Sequence, residues 1–529
     1  MYLKKFHRTP SFLLAFVLLL TLLPLNTFAE NASSSCWDGV STKEPKTLVK
    51  IDSVYYYELS TAEELAFVAQ AEGNWRKFNY RLTADIILNN AEIKSDDKGN
   101  LINNPTTLNT WTAISDFEGT FDGNGFSVLG LYAEHGLFNE SHGKIYNLSV
   151  KNAYVSGARA GGICRSSWGE IKNCTFSGTV ISSRELVGGV VGLNCGKISD
   201  CQNYGSVFLT DTEDSTASGA GGIVGCGHYG GGIESCQNHG DVYSLGDRVG
   251  GIVGWGSVSN SSNYGTVQAQ NQVGGICGMG SVSNSSNFGS VQGKINVGGI
   301  SGGNGGTFTD SENHGNITGN TNVGGIISSN ESAFIKACHN TGKIVGESYV
   351  GGLYGNGKFS TSRASSVVNS YNAGEIFGKD YVGGLSGYLT QTQISNCYNY
   401  SNVVGNTNVG ALIGYSESIW GKGTVEQCYY LKDAETNTKL NAFGNAPDEI
   451  GIAEGKPKSF FPYFGNIKGD ANGDNNITAV DARWALQVAS GTRELTENQK
   501  TAADVNGDGK ITAVDARWIL QAASGTRVL

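Results

Sequence analysis

A short pattern of apolar, glycine and polar positions recurs from about residue 160 to residue 430. It reads Val-Gly-Gly, an apolar pair, Gly, a turn, and then Ile/Val-x-x-Cys/Ser-x-Asn-x-Gly-x-Val/Ile; Val249–Val267 and Val273–Val291 are the clearest copies. The closest copies lie 24 residues apart, as Gly250 and Gly274 do, and longer copies carry insertions. A period of this length is typical of a solenoid, in which each unit stacks on the next.

Each copy contains three short stretches of β character, which in one unit are Val249–Gly254, Ser257–Ser262 and Tyr264–Gln268. Each stretch is too short for a stable helix, and glycines separate them. Three strands in each of about ten units predict coils whose strands pair in parallel with their equivalents one turn later. The predicted fold is mainly β, a right-handed parallel β-helix with three-strand coils, because parallel crossovers are right-handed.

Aligned copies place like residues on like. One column is small, and its members are Cys174, Cys201, Cys236, Ser261, Ser285, Ser311, Cys338, Ser370, Cys397 and Cys428. A second column is asparagine, at Asn203, Asn238, Asn263, Asn287, Asn313, Asn340, Asn372 and Asn399. Stacked asparagines can hydrogen-bond amide to amide along the solenoid axis. The glycines that follow, such as Gly240 and Gly265, are expected to supply backbone angles that a β-carbon forbids.

The sequence contains eleven cysteines, an odd number, whereas a disulfide framework uses cysteines in pairs. Most of them occupy repeat columns, and serine replaces cysteine freely in one column. We therefore expect small buried side chains that fill space rather than a disulfide framework.

The ends of the chain differ from the repeats. Residues 1–29 have a positive start, a short apolar run and a small-residue cleavage site at Thr27-Phe28-Ala29, which predicts a signal peptide and a secreted mature chain without a membrane span. Residues 30–115 are expected to form an N-terminal cap and the first coils, with an N-capped helix over Thr61–Val68. The β-helix is predicted over 116–432, and a C-terminal cap and connector over 433–467.

The repeats resemble a known family. Gly136-Leu137-Phe138, the segment Phe117-x-Gly-Thr-Phe-Asp-Gly-Asn-Gly and the Val-Gly-Gly-Ile-Val-Gly series are similar to GLUG-type repeats of bacterial secreted and surface proteins. Similar repeats occur in β-helical parts of some immunoglobulin-A proteases. The resemblance implies a β-helix in an extracellular setting and no particular activity. A His-Glu-x-x-His zinc-protease motif is absent from the sequence.

Two near-identical acidic segments begin at Asp470 and Asp504, 34 residues apart. Oxygen ligands at positions 1, 3, 5 and 12 of a 12-residue loop, with a backbone carbonyl at position 7, match the coordination that Ca²⁺ needs. The sequence predicts two Ca²⁺ ions, with ligands Asp470, Asn472, Asp474, Asn476 and Asp481 in the first loop, and Asp504, Asn506, Asp508, Lys510 and Asp515 in the second. Each loop leads into a helix, but no matched helix precedes it, unlike a full EF-hand.

This loop–helix duplication over residues 468–529 resembles the type I dockerin of cellulosome proteins, a small all-α module. The resemblance implies a cohesin domain on a scaffold protein as the partner. It also implies that loop positions 10 and 11, here Ala479-Val480 and Ala513-Val514, contact the partner, in two orientations because the copies are identical there.

Aromatic residues follow the Val-Gly-Gly strand in several coils, and longer insertions begin at the same corner. Trp255, Tyr388, Tyr415 and Trp420 are therefore candidates for a carbohydrate-binding groove, since sugar faces pack on aromatic rings. The alternative is that these rings only cover the turn. A second aromatic column, which includes Tyr204, His239, Tyr264, Phe288 and His314, is too regular for one local site and is predicted to be structural.

Three functions of the solenoid stay open. The first is polysaccharide binding or organisation within an assembly. The second is a polysaccharide lyase or glycoside hydrolase whose catalytic residues the sequence does not locate. The third is an adhesion or protease-associated role.

The net charge of the chain is −10. Removal of the predicted signal peptide, which carries three basic residues and no acid, changes it to −13. This acidic charge argues against nucleic-acid binding.

Overall fold

The computed structural model describes residues 36–210, 219–227, 231–303, 305–329, 333–357, 365–390, 392–416, 424–432, 441–444, 451–456, 468–471, 477–493, 495, 500, 502–527 and 529. A β-solenoid of about 13 turns spans residues 57–456, and a helical C-terminal region follows. The mainly-β fold predicted from the repeats is therefore confirmed. Among the described residues, no helix is both long enough and apolar enough to cross a bilayer.

Each central coil contains short strands that stack in parallel on their equivalents in the next coil, forming ladders that we name A to E in chain order. Ladder A has ten strands: Arg159–Gly161, Leu186–Gly188, Gly219–Gly221, Asp247–Gly250, Asn271–Gly274, Ile295–Gly298, Thr321–Gly324, Ser348–Gly351, Asp380–Gly383 and Thr407–Gly410. Ladder B is formed by a group of six and a group of four: Phe138–Ser141, Cys164–Ser167, Val191–Asn194, Val224–Gly227, Val253–Trp255 and Cys277–Met279, then Ile327–Ser329, Tyr354–Gly357, Ser386–Leu389 and Ile413–Ser416. Bridges through Ser301 connect the two groups.

Ladders C, D and E belong to one large sheet. Ladder C holds Val54–Leu59, Tyr80–Leu82, Thr120–Asp122, Lys144–Tyr146, Glu170–Lys172, Lys197–Ser199, Ile233–Glu234, Val258–Ser259, Val282–Ser283, Gly306–Thr309, Ala333–Lys336, Ser366–Val368, Gln393–Ser395 and Thr424–Leu431. Ladder D holds Ile86–Ile87, Ser127–Leu129, Ser149–Ser156, Thr175–Ser182, Gln202–Asn203, Gln237–Asn238, Ser262–Asn263, Ser286–Asn287, Glu312–Asn313, His339–Asn340, Tyr371–Asn372 and Tyr398–Asn399. Ladder E holds Tyr132–Ala133, the second halves of Ser149–Ser156 and Thr175–Ser182, then Ser206–Leu209, Val242–Ser244, Val267–Gln268, Val291–Gln292, Ile317–Thr318, Ile344–Val345, Ile376–Phe377 and Val403–Val404.

The structure divides the predicted segments of a coil further. Val249–Gly254 contains the end of one strand of ladder A and the start of one of ladder B, and Ser257–Ser262 runs from ladder C into ladder D. The break between ladders C and D falls at Asn260, whose φ of 52° is left-handed. Asparagine tolerates that conformation better than most residues, which explains why the break recurs at Asn284, Asn369 and Asn396.

The ends of the solenoid carry additional elements. Helix α1, Ala62–Gln70, is capped by Thr61, whose side chain accepts a hydrogen bond from the Glu64 N–H, as the sequence predicts. The strand Leu48–Ile51 pairs antiparallel with Val54–Leu59, and 3₁₀ turns lie at Gly73–Lys77 and Pro105–Thr107. At the other end, Gly451–Lys456 pairs with Thr424–Leu431, and residues 441–444 hydrogen-bond to the last strand of ladder B.

The asparagine column forms a continuous buried ladder. Each Asn Nδ2 donates to the Oδ1 of the next, with distances of 2.8 Å from Asn263 to Asn287 and 2.8 Å from Asn287 to Asn313. The same Nδ2 group also donates to the glycine carbonyl two residues on, as Asn287 does to Gly289 at 2.8 Å. These asparagines have no exposed surface, so the hydrogen bonds satisfy amides that would otherwise be buried without partners.

The glycines that lie two residues after each ladder asparagine are required for a reason other than the predicted one. Gly265 and Gly289 do not have positive φ, so the expected left-handed backbone is wrong. A Cβ atom on Gly265 would instead lie 2.0 Å from the carbonyl oxygen of Gly240 in the preceding coil. The constraint is therefore close approach of stacked backbones.

The eleven cysteines all lie among the described residues, and all are free thiols, nine of them buried. The burial of these nine cysteines agrees with the predicted role as small space-filling side chains. Burial raises the pKa of the Cys338 thiol to about 12. In the same column, the Ser285 hydroxyl donates to the Ser283 carbonyl at 2.8 Å and accepts from the Ser261 N–H at 3.1 Å, which shows why serine substitutes for cysteine there.

Replacing Asn287 with alanine is expected to lower the free energy of unfolding by about 3 kcal/mol, because the Gly289 carbonyl and the Asn313 Oδ1 each lose a buried donor. Urea unfolding followed by circular dichroism measures the change. Gln292→Ala, at an exposed position of the same coil, is the control and should change stability by less than about 0.5 kcal/mol. Equal losses in both variants would contradict a special role for the ladder.

Candidate calcium-binding and docking site

Two helices of equal length follow the acidic loops: α2, Ala479–Ala489, and α3, Ala513–Ala523. Segments 479–493 and 513–527 are identical except at Ala485/Ile519 and Val488/Ala522. The helices share a small apolar core that contains Ala482, Ala485, Ala516 and Ile519. The chain duplication therefore becomes a structural pair, built around its own core.

The second loop wraps its backbone around the first acidic residue. Asp504 Oδ1 accepts hydrogen bonds from the Gly507 and Asp508 N–H groups at 2.9 and 3.2 Å, and its Oδ2 accepts from the Gly509 N–H at 2.8 Å. Gly509 has φ +78°, so the glycine at position 6 allows the sharp turn that the sequence predicts. The backbone of loop positions 4 to 6 therefore curls around the Asp504 carboxylate.

Asp515, at position 12, closes the loop while also starting α3. Its Oδ2 accepts from the Thr512 N–H and hydroxyl, both at 2.9 Å, in a capping box, and its Oδ1 accepts from the Asn506 N–H at 3.2 Å. Its side chain is fully buried. The first copy repeats the box, since Asp481 Oδ2 accepts from the Thr478 N–H at 2.8 Å and its hydroxyl at 2.9 Å.

The donor set of the second loop fits a calcium ion. A carboxylate oxygen has two lone pairs, and Asp504 Oδ2, both Asp508 oxygens and Asp515 Oδ1 each accept a single protein hydrogen bond. Each therefore keeps a lone pair for a metal. Together with Asn506 and the Lys510 carbonyl they supply the oxygen ligand types that Ca²⁺ prefers. In this structure the Asp504, Asp508 and Asp515 side chains do not yet converge at metal–ligand spacing.

The first loop is described only in part. Asp470 and Asp481 are fully buried, which agrees with roles as ligands facing inward. Asn472, Asp474 and Asn476 lie outside the described residues. Metal binding at both loops stays a prediction for the individual residues.

The predicted contact residues lie on the surface. Val480 and Val514 expose 41% and 44% of their surface, and Ala479 and Ala513 are also exposed. Leu486 and Leu520, almost two turns further along the helices, are 48% and 50% exposed. Each helix therefore presents two apolar side chains to solvent, Val480 and Leu486 on α2 and Val514 and Leu520 on α3, which we call its apolar stripe.

Two cation–π contacts within this module were not predicted from the sequence. Arg493 stacks on Trp484 with its guanidinium carbon 3.6 Å from the ring centroid, and Arg527 does the same on Trp518 at 3.4 Å. The Thr-x-x-Asp signature of the capping boxes was readable in both copies. Gly469 and Leu529 also adjoin, since a Cβ on Gly469 would lie 2.5 Å from Leu529 Cδ1, so the module's two ends meet.

Comparison with protein families decides the identity of this region. Residues 468–522 match the dockerin type I domain. We refer to residues 468–529 as the dockerin module. A type I dockerin typically binds calcium, and it implies a cohesin partner and an extracellular cellulosome assembly.

No curated protein matches the chain. A crystal structure of a proposed immunoglobulin A1 protease from Bacteroides ovatus is similar at 21% identity and a TM-score of 0.35, covering 51% of this chain and 78% of that one. The GLUG identity of the repeats stays a prediction.

On the solenoid, the candidate carbohydrate-binding residues do not all lie together. Tyr388 and Tyr415 are neighbours in ladder B, with ring centroids 5.5 Å apart. Trp255 pairs with Met279 in the same ladder, five coils before Tyr388, or about 24 Å away at ~4.8 Å per coil. Trp420 lies outside the described residues.

Two further tyrosines complete a cluster around Tyr388. Tyr349 and Tyr381 stack at 4.8 Å, and each meets Tyr388 edge to face at 5.6 and 6.0 Å. Tyr388 itself is only 8% exposed, whereas the other three rings are half-buried. Tyr349 and Tyr381 were not among the predicted residues, because each precedes the Val-Gly-Gly segment of its coil instead of following it.

The second aromatic column is a stack of rings along the outside of ladder D. Tyr204, His239, Tyr264, Phe288 and His314 follow one another with centroids 4.6 to 5.1 Å apart and nearly parallel planes. Because each ring covers the face of the next, these faces are closed to a sugar. This geometry supports the predicted structural role.

Removal of calcium with EDTA is expected to unfold the dockerin module and leave the solenoid intact, since the clustered carboxylates repel one another without a cation. Limited proteolysis of the full chain should then cut within 468–529 only. Calorimetric titration should count two Ca²⁺ per chain, and one for Asp515→Ala. Asp52→Asn, at an exposed solenoid turn, is the control and should retain two. Protection from protease in excess chelator would contradict the coupling of metal and fold.

Proposed function

We propose that this protein is an extracellular component of a cellulosome, attached to a cohesin-bearing scaffold by its calcium-loaded dockerin module, and that its solenoid binds or organises polysaccharide. The observation that carries the first part is the pair of matched loop–helix units, each ending in an exposed apolar stripe. The match of residues 468–522 to the dockerin type I domain supports it.

The docking surface follows from the two helices. Val480, Arg483 and Leu486 are exposed at three-residue spacing on α2, and Val514, Arg517 and Leu520 repeat them on α3. Apolar side chains flanking an arginine suit the desolvated centre of a protein interface. Because the two stripes are identical, either one can bind the same cohesin surface.

Because the two stripes are equivalent, single and double variants are expected to differ strongly in cohesin binding. Val480→Asp or Val514→Asp alone should weaken binding to a matched type I cohesin by no more than about threefold, because the other stripe is intact. The double variant should lose more than about 100-fold, or roughly 3 kcal/mol, because no apolar stripe remains. Calorimetric titration with cohesin in excess calcium measures both.

Val345→Asp provides a matched control, since Val345 is an exposed valine on the solenoid. It should bind cohesin like the unaltered chain. Undiminished binding by the double variant would refute the proposed surface, and a full loss in one single variant would refute the equivalence of the two stripes.

For the solenoid, the tyrosine cluster is the favoured polysaccharide contact. Tyr349, Tyr381 and Tyr415 give half-buried rings, and the adjacent Asn322 and Asn356 are joined by a 2.9 Å amide hydrogen bond on the same corner. Tyr349 stacks on Tyr381 and Tyr388 stacks on Tyr415, so ring edges and hydroxyl groups, rather than closed ring faces, are available to a ligand. These edges and hydroxyls beside neutral amides suit an uncharged glycan. The acidic net charge of the chain also disfavours a polyanionic polysaccharide.

Retention on insoluble cellulose and xylan, and affinity electrophoresis in soluble glycans including pectin, test this role. Tyr381→Ala and Tyr415→Ala should each weaken retention about tenfold, since each removes a contact worth roughly 1.4 kcal/mol. Tyr204→Ala, an exposed tyrosine of the stacked column, is the control. New reducing ends or unsaturated products would instead favour a hydrolase or lyase, and the absence of both retention and products would favour the adhesion or protease-associated role.

A further inference from the structure

The stacked rings on the outside of ladder D are interrupted at one place. In each coil up to His314, the stacked ring belongs to the residue directly after the ladder asparagine. From His339 onward, the stacked ring belongs to the residue directly before that asparagine. The column of rings therefore shifts to the other side of the asparagine between these two coils. His314 stacks on Phe288 at 4.9 Å, and His339 stacks on Tyr371 at 4.6 Å. The two imidazoles meet nearly at right angles, at 79°, with centroids 6.3 Å apart.

An acidic residue occupies the interruption. Glu312 pairs directly with His339 in the parallel register of ladder D and lies two residues before His314. His314 Nε2 is 2.9 Å from Glu312 Oε2, and His339 Nε2 is 3.1 Å from Glu312 Oε1. Two imidazole nitrogens and one carboxylate therefore converge, and their side chains keep 21% to 39% of their surface exposed.

The surroundings hold both imidazoles in place. The His314 Nδ1 lies 2.9 Å from the Thr341 hydroxyl, which fixes that ring from its far side. Stacking on Phe288 and Tyr371 fixes the planes of the two rings. Ligand rings oriented by a second hydrogen bond and by packing are what a metal site needs around its first ligands.

The rest of the column shows that this arrangement is not required by the fold. The positions on either side of the ladder asparagine, from Gln202 to Tyr400, contain one carboxylate, Glu312. At the equivalent place three coils earlier, His239 Nε2 lies 3.2 Å from Gln237 Oε1, a neutral pair without a second imidazole. A glutamine there would satisfy the same hydrogen bond, so the carboxylate and the second histidine call for another explanation.

We propose that Glu312, His314 and His339 bind a divalent transition-metal ion of the zinc class on the outer face of the solenoid. Two imidazoles and a carboxylate are a common zinc ligand set, and the exposed side leaves a fourth position for water or a ligand. The present distances are those of hydrogen bonds, and among the described residues no three such side chains already stand at metal–ligand spacing. Binding therefore replaces the two N–H···O bonds: each neutral imidazole carries its proton on Nδ1 and frees Nε2 for the metal, and the Glu312 carboxylate shifts, as its partial exposure permits.

The test uses the full chain in excess Ca²⁺, so that the dockerin loops are saturated. Calorimetric titration with Zn²⁺ should show one site per chain that Glu312→Gln and His339→Gln each weaken at least tenfold. Titration with Co²⁺ should give the visible absorption of a tetrahedral centre, which the same variants lose. Glutamine already occupies the Glu312 column at Gln202 and Gln237, so Glu312→Gln should fold normally, as circular dichroism and melting will verify.

Two histidines serve as matched controls. His239→Gln alters the same stack away from the acid, and His142→Gln removes a lone surface histidine 3.4 Å from Glu140. Both should bind Zn²⁺ like the unaltered chain. Absence of a Zn²⁺ site in the unaltered chain, or a site that Glu312→Gln and His339→Gln leave unchanged, would overturn the proposal.

Discussion

The buried asparagine ladder is the constraint on which the solenoid depends. A primary amide inside an apolar core must satisfy two donors and an acceptor, and here one donor goes to the next coil and one to the local glycine carbonyl. The pattern is satisfied only when equivalent asparagines lie directly above one another. A slip of one residue would turn every asparagine outward and bury its neighbours, so the ladder fixes the register of all the strands around it.

Exact register has consequences for the outer surface. Residues at equivalent positions lie one strand spacing apart, and flat rings at that spacing stack, as Tyr264 and Phe288 do at 5.1 Å. Stacking closes the ring faces, so a regular aromatic column contributes stability more readily than recognition. Binding chemistry is therefore best sought where the column changes, as at Glu312 between two imidazoles. There, hydrogen bonds from His314 and His339 hold the pKa of the Glu312 carboxyl well below its ordinary value.

This distinction explains what could be predicted from the sequence. The repeat, the asparagine ladder and the buried cysteines were predictable, because each is a periodic property that one coil shares with the next. The break at Asn260 was harder to predict, since a single left-handed residue changes the chain direction without changing the hydrophobic pattern. The contacts of Tyr349 and Tyr381 with Tyr388 join different columns, and the periodicity within one column does not indicate them.

The dockerin module differs from the solenoid, because its predicted features came from individual residues and not from a long repeat. Its two loops were recognisable in the sequence because Ca²⁺ constrains the spacing of its ligands, while the individual ligands stay a prediction. The ligand spacing gives position 12 a metal-binding role only. In the structure Asp515 also accepts two hydrogen bonds from Thr512 as the capping box of α3, and Asp481 does the same for α2. A carboxylate that both caps a helix and faces the ion couples helix formation to metal binding within one side chain. The exposed Val480 and Val514 lie one residue before these carboxylates, so an ion bound by each loop would also order the start of each apolar stripe.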